Sequence, residues 1–68
     1  MLNDLKIIHD ITSKIHNEKE ACKIIDSKYA KAYKRLTGNN SITSFNDIFL
    51  LVEKAEPELV ALIISDFE

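Results

Sequence analysis

The sequence predicts an all-α fold, a compact bundle of five short helices in a single domain over residues 1–68. Three observations support it. One Gly and one Pro leave few turns for the many short strands of a β-fold. Apolar residues make up 46% of the chain, enough for a packed core and too many for a disordered segment. They recur at intervals of three and four, which is the spacing of one helix face.

The first two helices are predicted from apolar spacing and from a capping signal. Residues 2–16 carry an apolar residue at every third or fourth position, with polar residues between. Asn17 is a suitable N-cap for the second helix. Glu18 and Glu20 follow in its first turn, where negative charge favours the helix dipole.

A second capping signal, Asp26 with Ser27, predicts that the second helix ends there and that a third begins. The third helix is predicted over residues 27–37. Gly38 and the two Asn residues after it accept the left-handed backbone that closes a helix. The second and third helices would then form a helix-turn-helix with a tight break at Asp26.

The last two helices follow from further helix-start signals. Ser44, with Asp47 three residues later, is a variant of the capping box and opens a fourth helix that runs to about Ala55. Pro57 suits the first turn of a fifth helix, predicted over residues 58–66.

The fifth helix is apolar on every side, and a chain of this size cannot surround it. We therefore expect a homodimer whose interface includes part of this helix. The alternative is that Val60 and Ile64 are tolerated at the surface. The predicted interface residues are Leu59, Val60, Ile63, Ile64 and Phe67.

Charge is unevenly distributed along the chain. The formal net charge is −2. Residues 1–40 hold eight Lys/Arg against five Asp/Glu, which gives +3, and residues 41–68 hold one Lys against six Asp/Glu, which gives −5. No acidic residue occurs over residues 27–40, where four cations lie around the apolar stripe of the third helix. A cationic helix face attracts a polyanion such as the DNA backbone, although an ordinary solvated face is the alternative.

Other classes of protein find little support. A single cysteine excludes an internal disulfide, and the absence of a leader or a long apolar run predicts a cytoplasmic protein with no membrane contact. No phosphate loop or catalytic motif is present, so we expect no enzyme, no cofactor and no small-molecule substrate.

The metal-ligating and nucleophilic residue types are sparse. His9 and His16 share one helix face but are separated by about 10 Å along the axis, too far for one metal without other ligands. With Cys22 a metal site is conceivable, but no bound metal is predicted. Cys22 lies beside Ala21 on an apolar helix face and is expected to be a buried, inert thiol.

The run AYKRLTGNN over residues 32–40, followed by SFNDIFLLVEKAEPELVALI, resembles lambda-type phage repressors and Cro proteins, including the related phage activators. The resemblance implies a lambda-repressor-like bundle with a helix-turn-helix. It also implies a transcription regulator of phage or mobile-element type that binds double-stranded DNA as a homodimer. Asp26 stands where the family has a turn Gly, and Ser27 replaces the apolar residue common after the turn.

On this resemblance the start of the third helix would face base edges and the flanking residues would hold phosphates. Tyr29 belongs either to the base-facing set or to the core. The alternative function is a protein-interaction module, antitoxin-like or an inhibitor of a host factor, that uses the apolar fifth helix. The expected base-facing residues are Ser27, Lys28, Tyr29 and Lys31, and the expected phosphate contacts are Lys34, Arg35, Asn39 and Asn40, with Lys19 or Lys23.

Overall fold

The computed structural model describes the backbone of residues 2–67 and the side chains of residues 4–67, and all regular structure in this part is helical. The helices are α1 (Leu2–Ser13), α2 (Glu18–Thr37), α3 (Phe45–Lys54) and α4 (Pro57–Phe67). The Cα radius of gyration is 10.6 Å, close to the ~11 Å expected for a folded chain of this length. The all-α prediction is confirmed, and the fold is compact.

α2 is one uninterrupted helix of 20 residues, and it replaces the second and third helices that the sequence predicts. Asp26 and Ser27, predicted as a capping signal, both lie inside it. The inward-facing apolar positions on both sides of Asp26 keep a single helical phase, and a break there would rotate half of them away from the core. These positions are Cys22, Ile25, Tyr29, Tyr33 and Leu36. The predictions of five helices and of a helix-turn-helix in this segment are therefore wrong.

Both ends of α2 are capped as the sequence predicts. The side-chain oxygen of Asn17 accepts a hydrogen bond from the N–H of Glu20 at 3.1 Å. At the other end Gly38 has φ 81°, a left-handed conformation that favours glycine, and its N–H donates to the carbonyl of Lys34 at 2.8 Å. The two caps define the length of the helix.

The starts of α3 and α4 also follow the predicted signals. A carboxylate oxygen of Asp47 accepts the N–H of Ser44 at 3.2 Å, and Pro57 is the first residue of α4. α1 ends earlier than predicted, at Ser13 and not near His16. Beyond Ser13 the backbone forms tighter bonds between residues three apart, a usual way for a helix to end.

α3 is the central element of the core, because it packs against each of the other three helices. α1 contributes Ile8, and the segment between α2 and α3 contributes Ile42. α2 meets this core along one stripe only, so its opposite face points to solvent. The buried apolar residues are Ile8, Cys22, Ile25, Tyr33, Ile42, Ile48, Leu51, Val52, Val60 and Ile63.

Two carboxylates of α2 accept backbone hydrogen bonds from the segment that leads into α3. Asp26 accepts the N–H of Ile42 at 2.9 Å, and Glu18 accepts the N–H of Phe45 at 2.8 Å. Asp26 therefore acts from inside the helix as an anchor for the following loop.

A buried tyrosine joins the end of α2 to the start of α3. The Tyr33 hydroxyl donates to Asp47 at 2.9 Å and accepts from the amide of Asn39 at 3.2 Å. Partial burial raises the pKa of the Asp47 carboxyl, but hydrogen bonds from Thr43, Tyr33 and Ser44 outweigh it and hold that pKa below its ordinary value. These bonds fix the loop against the C-terminal end of α2.

Candidate functional site

The face of α2 that points away from the core carries three exposed lysines. Lys23, Lys31 and Lys34 are separated by eight and three residues, which places them on one side of the helix. The helix rises about 16 Å between the first and the last of them. None of the three forms an ion pair with a residue that the structure describes. We call Lys23, Lys31 and Lys34 the basic face.

Two further cations of α2 lie at the flank of this face and are paired with acidic residues from the C-terminal part of the chain. Lys28 Nζ is 3.0 Å from Asp66 Oδ1, and Arg35 Nη2 is 3.6 Å from Glu56 Oε1. The Lys28 and Arg35 side chains are 53% and 60% exposed, so each pair stabilises the fold only slightly. Both cations are nevertheless partly neutralised before any partner arrives.

Tyr29 packs partly against the core, which decides between the two roles that the sequence leaves open for it. Its hydroxyl donates to the second carboxylate oxygen of Asp66. Burial, together with the hydrogen bond to Asp66, raises the pKa of Tyr29 to about 12. The hydrogen bonds from Tyr29 and Lys28 in turn hold the pKa of the Asp66 carboxyl below its ordinary value. Tyr29 is thus engaged inside the molecule and does not face outward.

The other predicted DNA contacts are only partly available. Ser27 is exposed on α2, and its hydroxyl donates to the carbonyl of Ile24 at 2.8 Å. Asn39 uses its amide to reach Tyr33. Asn40 is exposed in the loop after α2. Of these residues, Ser27 shares the outward side of α2 with the basic face.

A groove of about 480 Å³ separates α2 from the loop before α3. Lys19 and Lys23 line one side of it, and Ser41 and Thr43 line the other. Cys22 lies at its base and is 1% exposed. Burial, with a smaller effect of the Glu18 charge, raises the pKa of the Cys22 thiol. The buried thiol therefore stays protonated at neutral pH, as the sequence predicts.

Three acidic residues have roles that the sequence analysis did not assign. The sequence predicts a turn at Asp26, and Glu56 and Asp66 fall in the acidic C-terminal part of the chain. No local pattern could reveal the pair of Lys28 with Asp66, because 38 residues separate them. Beyond its first turn, α2 carries Asp26 as its one acidic residue, and this was the available signal.

The two histidines lie apart from the basic face. The ring of His9 stacks on that of Phe49, with centroids 3.9 Å apart, and His16 is exposed between α1 and α2. Among the residues that the structure describes, no three His, Cys, Asp or Glu side chains come together in a way that could hold a metal ion.

α4 uses its apolar residues differently from the prediction. Val60 and Ile63 are 2% and 0% exposed and belong to the core, so they are not available to a second chain in this fold. The chain covers one side of this helix, where α1 and α3 pack against it, and leaves Ala61 and Leu62 on the other side exposed. No helix within residues 2–67, α4 included, has both the length and the apolar character needed to cross a membrane. The other predicted interface residues, partly buried against the core, are Leu59, Ile64 and Phe67.

Comparison with known protein families, curated proteins and solved structures finds no match for this chain. The resemblance to lambda-type repressors thus gains no support from these comparisons. Function is therefore inferred from the chain's own residues.

Proposed function

We propose that this protein binds duplex DNA by placing the basic face of α2 against the phosphate backbone. The observation that carries the proposal is the alignment of Lys23, Lys31 and Lys34 over about 16 Å of exposed helix. Duplex DNA carries one negative charge per ~1.7 Å of its axis, so each lysine can reach a phosphate. Regulation of transcription, of phage or mobile-element type, is the role that the sequence resemblance favours for such binding.

The proposed contacts are to phosphates and not to base edges. Of the positions first expected to read bases, Lys28 and Tyr29 are held by Asp66, and the helix-turn-helix that would present them is absent from α2. Three phosphate contacts predict that log K falls with log[salt] with a slope of about −2.7. Affinity at physiological salt should then lie in the non-specific range, with Kd of roughly 10⁻⁴ to 10⁻⁶ M.

The net charge of −2 does not oppose this proposal, because charge is segregated within the chain. Residues 1–40 carry +3 and residues 41–68 carry −5, and the basic face belongs entirely to the first part. A dipolar protein of this kind orients as it approaches a polyanion, and its orientation improves as salt is lowered.

The test compares two triple variants of equal net charge by fluorescence anisotropy with a labelled 20-base-pair duplex of random sequence. In the first, the basic face is neutralised by Lys23→Gln, Lys31→Gln and Lys34→Gln. In the control, three exposed lysines outside α2 are neutralised, namely Lys6, Lys14 and Lys54. We expect the first variant to lose nearly all binding and the salt slope to vanish, while the control retains most of both. Equal losses in the two variants would mean that only net charge matters and would refute the proposed face.

A second candidate function is contact with another protein, or with a second copy of this chain, through the outer side of α4. The observation that favours it is Leu62, which is 57% exposed, with exposed Ala61 beside it. The exposed part of Leu59, one helical turn from Leu62, would extend this area. The homodimer expected from the sequence would have to use this outer side, since Val60 and Ile63 are in the core.

A further inference from the structure

We infer that Asp66 acts as an internal competitor of phosphate, and that its contact with Lys28 weakens the binding of DNA by α2. This inference rests on the proposed function and deepens it. Both oxygens of the Asp66 carboxylate are used, since Oδ1 pairs with Lys28 at 3.0 Å and Oδ2 accepts the Tyr29 hydroxyl. The C-terminal turn of α4 thus places a negative charge at the edge of the basic face.

Lys28 is well placed to be a fourth phosphate contact once it is released. It lies one helical turn from Lys31 along α2, and its side chain is 53% exposed even while paired. A phosphate that approaches Lys28 meets a carboxylate already paired with the ammonium group. Tyr29 holds that carboxylate in place, so its charge would stay nearby and repel the incoming anion.

Glu56 repeats this arrangement at Arg35, about two helical turns beyond Lys28 along α2. Its carboxylate reaches Arg35 at 3.6 Å, and both side chains are largely exposed. A carboxylate from the last turn of α4 and another from the residue just before α4 thus reach cations on the same flank of α2. The two ion pairs found among the described residues both join a cation of α2 to an acid of the C-terminal part.

The central experiment measures duplex binding by anisotropy for Asp66→Asn against Glu53→Gln. Glu53 is exposed on α3 and forms no ion pair with a described residue. Glu53→Gln therefore changes the net charge by the same amount as Asp66→Asn but releases no cation. We expect Asp66→Asn to bind about fivefold more tightly than Glu53→Gln, the equivalent of an exposed ion pair worth up to ~1 kcal/mol. Its salt slope should steepen by about 0.9, one additional phosphate contact.

A double-mutant comparison makes the contact itself measurable. Lys28→Ala should reduce affinity less than twofold in the wild-type chain, where Asp66 already occupies Lys28, and about fivefold in the Asp66→Asn chain. Equal effects of Lys28→Ala in the two backgrounds would overturn the inference.

Two further variants keep the inference testable if Asp66→Asn does not fold, as judged by circular dichroism. Glu56 is exposed, and Glu56→Gln should release Arg35. Its affinity for the duplex should therefore exceed that of the Glu53→Gln control. Lys28→Ala in the wild-type chain should cost clearly less affinity than Lys31→Ala.

The outcomes separate the two proposals. If the wild type binds DNA and Asp66→Asn binds no better than Glu53→Gln, the competitor role is refuted and DNA binding stands. Binding that appears only after Asp66 or Glu56 is neutralised would support the competitor role in its strongest form. If no variant binds at 20 mM salt, both proposals fail.

Discussion

The change Ser27→Ala is expected to stabilise the fold by about 0.5 kcal/mol, because Ser27 lies in the exposed interior of a continuous α2. Alanine has the highest helix propensity, and ordinary residues fall up to ~0.7 kcal/mol below it. Among the described residues, the Ser27 hydroxyl donates to the carbonyl of Ile24, three residues earlier, a contact of the kind that competes with helical backbone bonding. No tertiary contact is lost.

The assay is urea unfolding followed by circular dichroism at 222 nm. For a chain of this size the slope m is about 1 kcal/mol per molar urea, so the midpoint should rise by about 0.5 M. The melting temperature should rise by about 2–4 °C, by the usual conversion for domains of 60–100 residues.

The opposite sign would refute the continuous helix. If Ser27 were the cap of a separate helix, its replacement by Ala would cost ~1 kcal/mol and the midpoint would fall. Asn17→Ala provides the control, since Asn17 does cap α2 and its loss should cost about that amount. A fall for Ser27→Ala comparable to that for Asn17→Ala would restore the helix-turn-helix.

Three further predictions concern the loop anchor, the pH dependence and self-association. Asp26→Ala should lower the unfolding free energy by about 1–3 kcal/mol in urea titrations, because the N–H of buried Ile42 loses its acceptor, whereas Asp26→Asn should retain most of it. Because their pKa values are lowered, the carboxylates of Asp47 and Asp66 stabilise the fold fully above pH 3.8, the ordinary pKa value. The free energy of unfolding that they contribute should be lost as the pH falls below that value. Tyr29, with its pKa raised from 10.0 to about 12, should stabilise the fold below pH 10 and cease to do so between pH 10 and 12. The alkaline loss of stability in unfolding curves should be smaller in Tyr29→Phe, where the raised pKa of Tyr33 still contributes, and an unchanged alkaline profile would contradict the prediction. If α4 mediates self-association, sedimentation equilibrium should show a concentration-dependent mass that Leu62→Lys abolishes, and a monomer at high micromolar concentration would exclude it.

Local signals in the sequence predicted the helix boundaries well where they were unopposed. Asn17, Gly38 and Pro57 each occupy the helix-terminal position expected of them. Such signals depend on a few neighbouring backbone groups, and no distant residue is needed to satisfy them.

The prediction failed where a local signal conflicted with longer-range periodicity. Asp26 and Ser27 resemble a cap, but the apolar phase from Cys22 to Leu36 continues through them and core packing decides the outcome. The Asp26 carboxylate does not need the N–H groups of a helix start, because it accepts the N–H of Ile42 from the loop instead. The phase was present in the sequence and would have predicted one helix.

The site was predictable in part, for a similar reason. The exposed position of Lys31 and Lys34 follows from helical spacing alone. The pairing of Lys28 with Asp66 depends on how α4 crosses α2, which no spacing within either helix reveals. The burial of Val60 and Ile63 likewise depends on α1 and α3 packing against α4.

The most direct test of the claim that α2 is the polyanion-binding surface is a titration of the ¹⁵N-labelled protein with a short duplex, followed by two-dimensional NMR at low salt. The account predicts that the largest amide shift changes fall on Lys23, Ser27, Lys31 and Lys34, and that they reverse on addition of salt. Changes centred on Ala61, Leu62 and Ser65 of α4, with α2 unaffected, would contradict it.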